Sequence, residues 1–296
     1  MEKEHQFGGD WTSQKLERIR KYLVAYTTIF AKNPRAQKLT RIYVDAFAGT
    51  GYRSKPPRLD NQTTLFQELA EPEADKFLKG SALIALEVEP SFHQYIFIER
   101  DKQRANELSN LKQQFPQKAS AIQIVQQDAN SYLKEWCRNT DWRRCRAVIL
   151  LDPYGMEVEW ELIEVIARTQ AVDLWVLFPL GVAVNRLLTR NEPPPGAWAD
   201  ALTRIFGTQQ WKDAFYPSQM DSTLFGVEKV RLKEADFDKV GSFFVQRLKT
   251  IFLAVADNPL PLRNSRNVPL YLLCFAAGNP KGASTALKIA KHILSK

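Results

Sequence analysis

The chain has 296 residues, 45% apolar and 25% charged, with 13 Gly and 16 Pro, a composition that excludes disordered, collagen-like and low-complexity architectures. Such a length buries enough surface to fold without a disulfide or metal staple. Cys137, Cys145 and Cys274 contain no C-x-x-C pair, which argues against a disulfide scaffold or a Cys-based zinc site and for a reducing, cytoplasmic setting.

The charged N-terminal segment lacks the apolar core of a signal peptide. The longest apolar run, Leu174–Val184, is interrupted by Pro179 and Gly181 and is too short to span a bilayer. His5, His93 and His292 are scattered, which leaves little raw material for a histidine metal cluster or a Ser-His-Asp site. Net charge is +8, with 12 basic against 6 acidic residues in 1–60 and 6 against 1 in 257–296. Two cationic ends suit a polyanion such as nucleic acid, and they equally suit solvated helix faces.

In chain order, apolar positions Leu16, Ile19, Tyr22, Leu23, Tyr26, Ile29 and Phe30 predict an N-terminal helix within 11–31, capped by Thr12 or Ser13 and ended by Asn33-Pro34. Arg41–Phe47 reads as a strand running into Ala48-Gly49-Thr50-Gly51, a glycine turn. Residues 52–79 are rich in Pro and charge and read as an insertion, after which Gly80-Ser81 opens a helix to Leu86.

Strands and helices then alternate. Strands are expected over Gln94–Glu99, Ala121–Gln126, Arg146–Leu151 and Val172–Phe178, with helices over Asp101–Phe115, Ser131–Cys137 and Glu157–Thr169. A second insertion, 185–230, carries Trp198, Phe206, Trp211, Phe215 and Tyr216, which read as core packing or as an interface. Asp236–Thr250 and Ala283–Leu294 read as helices, with Ile251–Ala256 and Val268–Ala276 as closing strands. The rhythm predicts one α/β domain over 1–296, a doubly wound, Rossmann-like sheet with an N-terminal helix and two insertions.

Ligands of open α/β sheets sit beyond the carboxyl ends of the strands, and this pattern delivers Asp45, Glu99, Asp128 and Asp152 to one rim. Burying such carboxylates together is costly unless a polar or cationic ligand joins them. Three of them have a plainer reading: a strand-end acid for Glu99, a helix N-cap for Asp128, and a β-turn fixed by Pro153 for Asp152. The glycine turn does not complete the nicotinamide fingerprint, because Ser54 holds its third glycine position.

Asp45-Ala46-Phe47-Ala48-Gly49-Thr50-Gly51 resembles the first motif of class I S-adenosylmethionine (SAM) methyltransferases, in the form seen in nucleic-acid enzymes. Asp152-Pro153-Tyr154-Gly155 resembles the D-P-P-Y signature of amino methyltransferases, with the aromatic residue third and glycine fourth. The longer runs IYVDAFAGTG, GSALIAL, YIFIERD, QQDAN, LLDPYGMEVEW and DLWVLFPLGVAVNRLLTR, with Trp11, Lys15 and WADALTRIFG, are similar to the bacterial three-Cys-motif partner proteins.

That resemblance implies a methyltransferase-like fold and a separate partner protein of iron–sulfur type carrying three cysteines. It implies that Asp45, Phe47, Ala48, Gly49, Thr50, Gly51 and Glu99 hold SAM and that Asp128-Ala129 lies near its adenine. Asp152, Pro153 and Tyr154 would then face the acceptor. Two rival expectations stand beside this one: a non-catalytic module acting through its partner, and a magnesium-dependent nuclease using the clustered carboxylates.

Overall fold

Asp10–Lys32 forms one long helix, α1, because Ile19, Tyr22, Leu23 and Tyr26 fall on one face and are buried. The computed structural model describes residues 10–49, 80–223, 226–231 and 233–296. Thr50, Gly51 and the 52–79 insertion lie outside the described residues. Three parallel strands follow in the first half, β1 (Thr40–Asp45), β2 (Gln94–Ile98) and β3 (Ile122–Val125), joined through helices α2 (residues 80–87) and α3 (Lys102–Ser109). The helix expected over Asp101–Phe115 is broken at Asn110, which caps α3 and begins a separate short turn, Leu111–Gln114.

Helix α4 (Ala129–Asn139), strand β4 (Cys145–Leu151), helix α5 (Trp160–Arg168) and strand β5 (Val172–Phe178) complete the alternating part. In the second insertion come helices α6 (Gly196–Phe206) and α7 (Trp211–Phe215) and a small antiparallel pair, β6 (Ser218–Thr223) with β7 (Gly226–Arg231). The chain closes with α8 (Phe237–Lys249), β8 (Ala254–Val255), β9 (Leu260–Arg263), β10 (Pro269–Ala277) and α9 (Ala283–Leu294).

The main sheet has the order β3-β2-β1-β4-β5-β10-β8, with β9 also on β10. The first five strands are parallel, and β10 enters antiparallel between β5 and β8. The fold is therefore mixed α/β with a mostly parallel sheet, as expected, but β10, one of its closing strands, runs backwards. Strand β9 was not expected: Pro259 and Pro261 weaken the strand signal there.

Side chains alternate across the sheet. Ile42, Val44, Ile149, Leu151, Leu174 and Val176 face α4 to α8, whereas Tyr43, Val148, Leu150, Trp175 and Leu177 face α1, α2 and α9. Direction reverses between β1 and β4, because α2 and α3 cover one face and α4 and α5 the other. Such a switch point opens a crevice at the carboxyl ends of those strands.

The insertion aromatics Phe206, Trp211, Phe215 and Tyr216 are all buried in the core, where Phe206 packs on Phe178 and Phe243, Phe215 on Phe243 and Trp211 on Phe215; of the set, Trp198 alone is exposed, at 46%. No described helix is long and apolar enough to cross a membrane.

Away from the rim, Tyr22 donates its hydroxyl to Asp173 on β5 at 2.7 Å, and burial pushes that carboxyl up to about 7 despite the hydrogen bond and nearby Arg146. The folded chain thus holds this proton more tightly than the unfolded chain, so stability falls as pH rises from about 4 to about 7. Asp173→Asn keeps an acceptor for Tyr22. It should raise the urea midpoint at pH 8, with the gain shrinking to nothing on acidification below about pH 4; a gain that grows with acid contradicts the assignment.

Candidate active site

The segment after β1 is wedged into the switch point by backbone bonds on both sides. Ala46 N–H donates to Leu150 of β4 at 3.0 Å, and Ala48 N–H donates to Ile98 of β2 at 2.9 Å. Phe47, between them, packs half-buried against the α4-to-α8 core. This stitching places Asp45 at the end of β1, Glu99 just beyond β2 and Asp152 just beyond β4, all buried.

Asp45 is 1% exposed, and neither carboxylate oxygen has a hydrogen-bond partner among the described residues. Burial pushes it up to about 7, with the Asp152 charge adding to the rise. The Ser81 hydroxyl, the Lys15 charge and the Phe47 amide oppose this, the hydroxyl and the amide from positions short of full hydrogen-bond geometry. The neighbouring Tyr43 phenol is held well above its usual range, by burial first and then by the Asp45 and Asp152 charges.

Asp152 is paired with the ammonium of Lys15, a fully buried side chain from the second turn of α1. Burial pulls Lys15 below the usual lysine range, while the Asp152 and Asp45 charges push it back. The signal for this residue was in the sequence: Trp11, Lys15, Tyr22 and Tyr26 share a helical face with the apolar stripe. A lysine on a buried stripe demands a buried acid.

Glu99 lies directly over the glycine turn. A Cβ on Gly49 would sit 1.9 Å from Glu99 Oε2, so any other residue there would force the Glu99 carboxylate to move, although the Gly49 backbone is not left-handed. One Glu99 oxygen accepts from the Asp101 amide at 2.7 Å, and the other has no partner among the described residues. Burial raises its pKa; the Asp101 amide and Arg104 lower it. Arg104, also buried, donates to the Gly49 carbonyl at 2.5 Å and so ties α3 to the turn, a role no sequence motif announced.

Asp128 is exposed and caps α4, accepting from the amide and hydroxyl of Ser131 at 2.9 and 3.0 Å, while Ala129 is buried as the first residue of that helix. Asn130, beside it, is buried and braces the loop after Asp152: it donates to Glu157 O at 2.8 Å and accepts from Glu159 N at 3.0 Å.

Pro153 is buried and Tyr154 half-buried. Tyr271 of β10 donates its hydroxyl to the Tyr154 carbonyl at 3.2 Å, and Trp11 of α1 stacks on Tyr271 with ring centroids 5.3 Å apart. The predicted acceptor turn is therefore held from behind by the closing strand and the first helix. Among the described residues no group of three or more His, Cys, Asp or Glu side chains is placed to hold a metal ion.

No family model matches the chain, and no curated protein matches its sequence. Forty-one solved chains match in structure. One is a Legionella pneumophila protein of the DUF519 family model, at 14% identity and TM-score 0.46, covering 97% of this chain and 92% of that one. Another is Escherichia coli yhhF, provisionally assigned as a methyltransferase, at 13% identity and TM-score 0.28, covering 74% and 87%. A third is spermidine synthase from Thermotoga maritima, at 10% identity and TM-score 0.37, covering 92% and 60%.

Lys15→Met leaves Asp152 buried without its partner and should destabilise the fold by about 3–5 kcal/mol. Adding Asp152→Asn should restore much of that loss. Denaturant unfolding of the two variants measures the coupling; full additivity would show that the two side chains do not interact.

Proposed function

We propose that this chain is a SAM-dependent methyltransferase with its cofactor site at the β1–β2 end of the rim and its acceptor site at Asp152–Tyr154. The observation that carries the reading is the pair of buried carboxylates on adjacent strands, Asp45 and Glu99, with three oxygens between them lacking a partner among the described residues. Unpartnered buried acids are costly, and a ligand bearing hydroxyl donors and a positive charge would satisfy both.

SAM supplies such hydroxyls together with a methyl group on a cationic sulfonium. Glu99 would accept from the ribose hydroxyls and reject a phosphate at that position. Asp45, once ionised, would balance the positive charge, and Gly49 lets the backbone approach without a Cβ in the way. The Lys15 pair fixes the Asp152 carboxylate, which would orient the acceptor group, while the bracing by Asn130 and Tyr271 keeps the turn in place. Positioning and charge placement are the main contributions such a site makes to group transfer. We take nucleic acid as the acceptor class, on the cationic excess at the two ends of the chain.

Calorimetric titration with SAM should show micromolar binding. Glu99→Gln and Gly49→Ala should each weaken it about tenfold or more, the scale of losing a charged hydrogen bond. No binding to the folded protein, or unchanged binding in both variants, overturns the cofactor assignment.

Cofactor affinity should also rise as pH passes upward through about 7, where Asp45 loses its proton. Asp45→Asn should bind more weakly with a flat pH profile. An affinity that falls over that range would contradict the role given to Asp45.

A further inference from the structure

We propose that the turn between β9 and β10 is a phosphate-gripping element that docks a nucleic-acid strand beside the acceptor turn. The proposal deepens the methyltransferase reading and rests on it for what the strand is delivered to.

Strand β10 runs antiparallel to β5 and pairs Leu272 with Phe178, the last residue of β5. Its first residue, Pro269, therefore lies beyond the end of β5, and the β9–β10 turn projects past the same rim that carries Asp45, Glu99 and Asp152. The strand is tied to the acceptor turn through the Tyr271 hydroxyl and the Tyr154 carbonyl. A nucleic-acid strand held at this turn is thus held on the rim that carries the acceptor turn.

The turn is built by its own hydrogen bonds. Asn264 accepts through its side chain from the amides of Arg266 and Val268, at 3.0 and 2.9 Å, and its own amide donates to Val268 O at 3.0 Å. Asn267 sits in the left-handed region at φ 60, which asparagine tolerates. Arg263 donates one guanidinium nitrogen to Asn267 O at 2.9 Å.

What this scaffold presents is cationic and donor-rich. Arg263, Ser265, Arg266 and Asn267 are exposed, and neither arginine has a carboxylate partner among the described residues. Residues 258–296 contain six Lys and Arg and no Asp or Glu, and Asp257, the last acid of the chain, is paired with Lys291. Guanidinium groups recognise phosphate with two parallel hydrogen bonds, and two arginines on one preformed turn suit a backbone whose charges repeat.

Fluorescence anisotropy with labelled single-stranded RNA and DNA oligonucleotides tests this. Arg263→Gln with Arg266→Gln should weaken binding of whichever strand the protein takes by about tenfold. The same variant should lower the slope of log affinity against log salt by about 2, one for each phosphate that an arginine neutralises. Lys281→Gln with Lys288→Gln, an equal charge change in and beside α9, should leave both within twofold. Unchanged binding in the arginine variant, an equal loss in the lysine variant, or no binding of either oligonucleotide by the wild type overturns the proposal.

Calorimetry with SAM on the same arginine variant separates the two readings. Retained SAM binding with lost oligonucleotide binding supports the turn and the cofactor site together. Oligonucleotide binding through the turn by a protein that does not bind SAM supports the turn and overturns the methyltransferase reading.

Discussion

Lys15 and Asp152 are 137 positions apart and share one buried ion pair, and this pair links the first helix to the central strand of the fold. A buried pair of this kind contributes little net stability over an apolar substitute, yet breaking one half is strongly destabilising. Its consequence is geometric. It fixes α1 across the sheet with its first turns at the carboxyl rim, which brings Trp11 against Tyr271 and Tyr22 against Asp173. The turn after β4 is thereby built from three distant segments, and its bracing depends on all of them.

The rim accumulates negative charge in a place where water is excluded. The Asp152 charge raises the cost of ionising Asp45, Lys15 pairs with Asp152, and Glu99 is held at one oxygen by the Asp101 amide. The chain carries this arrangement against its own stability, because burial favours the neutral forms of Asp45 and Glu99. Perturbed acids gathered at a switch-point crevice are the usual mark of a ligand site. The Ala46 and Ala48 amides, bonded to β4 and β2, hold the segment after β1 between the two strands.

Much of this was legible in the sequence, and the limits have physical causes. The alternating pattern located β1 to β5, since buried parallel strands are continuously apolar, and each strand-end acid fell where the topology later placed it. Asp128 could be read two ways from its position before Ser131, and its carboxylate is found capping α4. Strand β9 escaped because Pro261 breaks the local pattern and its pairing with β10 supplies the order. The reversed direction of β10 carries no sequence signature at all. The glycine turn was recognised from its sequence, but the Glu99 carboxylate lying over Gly49 is a contact across the fold that no local pattern carries. Bonds across the fold, such as Arg104 to the Gly49 carbonyl, exist only once the sheet has assembled.

The central claim is that the two buried acids, Asp45 and Glu99, form a receptor for a cationic, hydroxyl-bearing ligand. Carbon-13 NMR of the labelled Asp45 carboxyl, titrated with and without saturating SAM, tests it most directly. The account predicts a midpoint near 7 in the free protein and a clear downward move when SAM is present. A midpoint in the ordinary aspartate range, or one that SAM leaves in place, would contradict it.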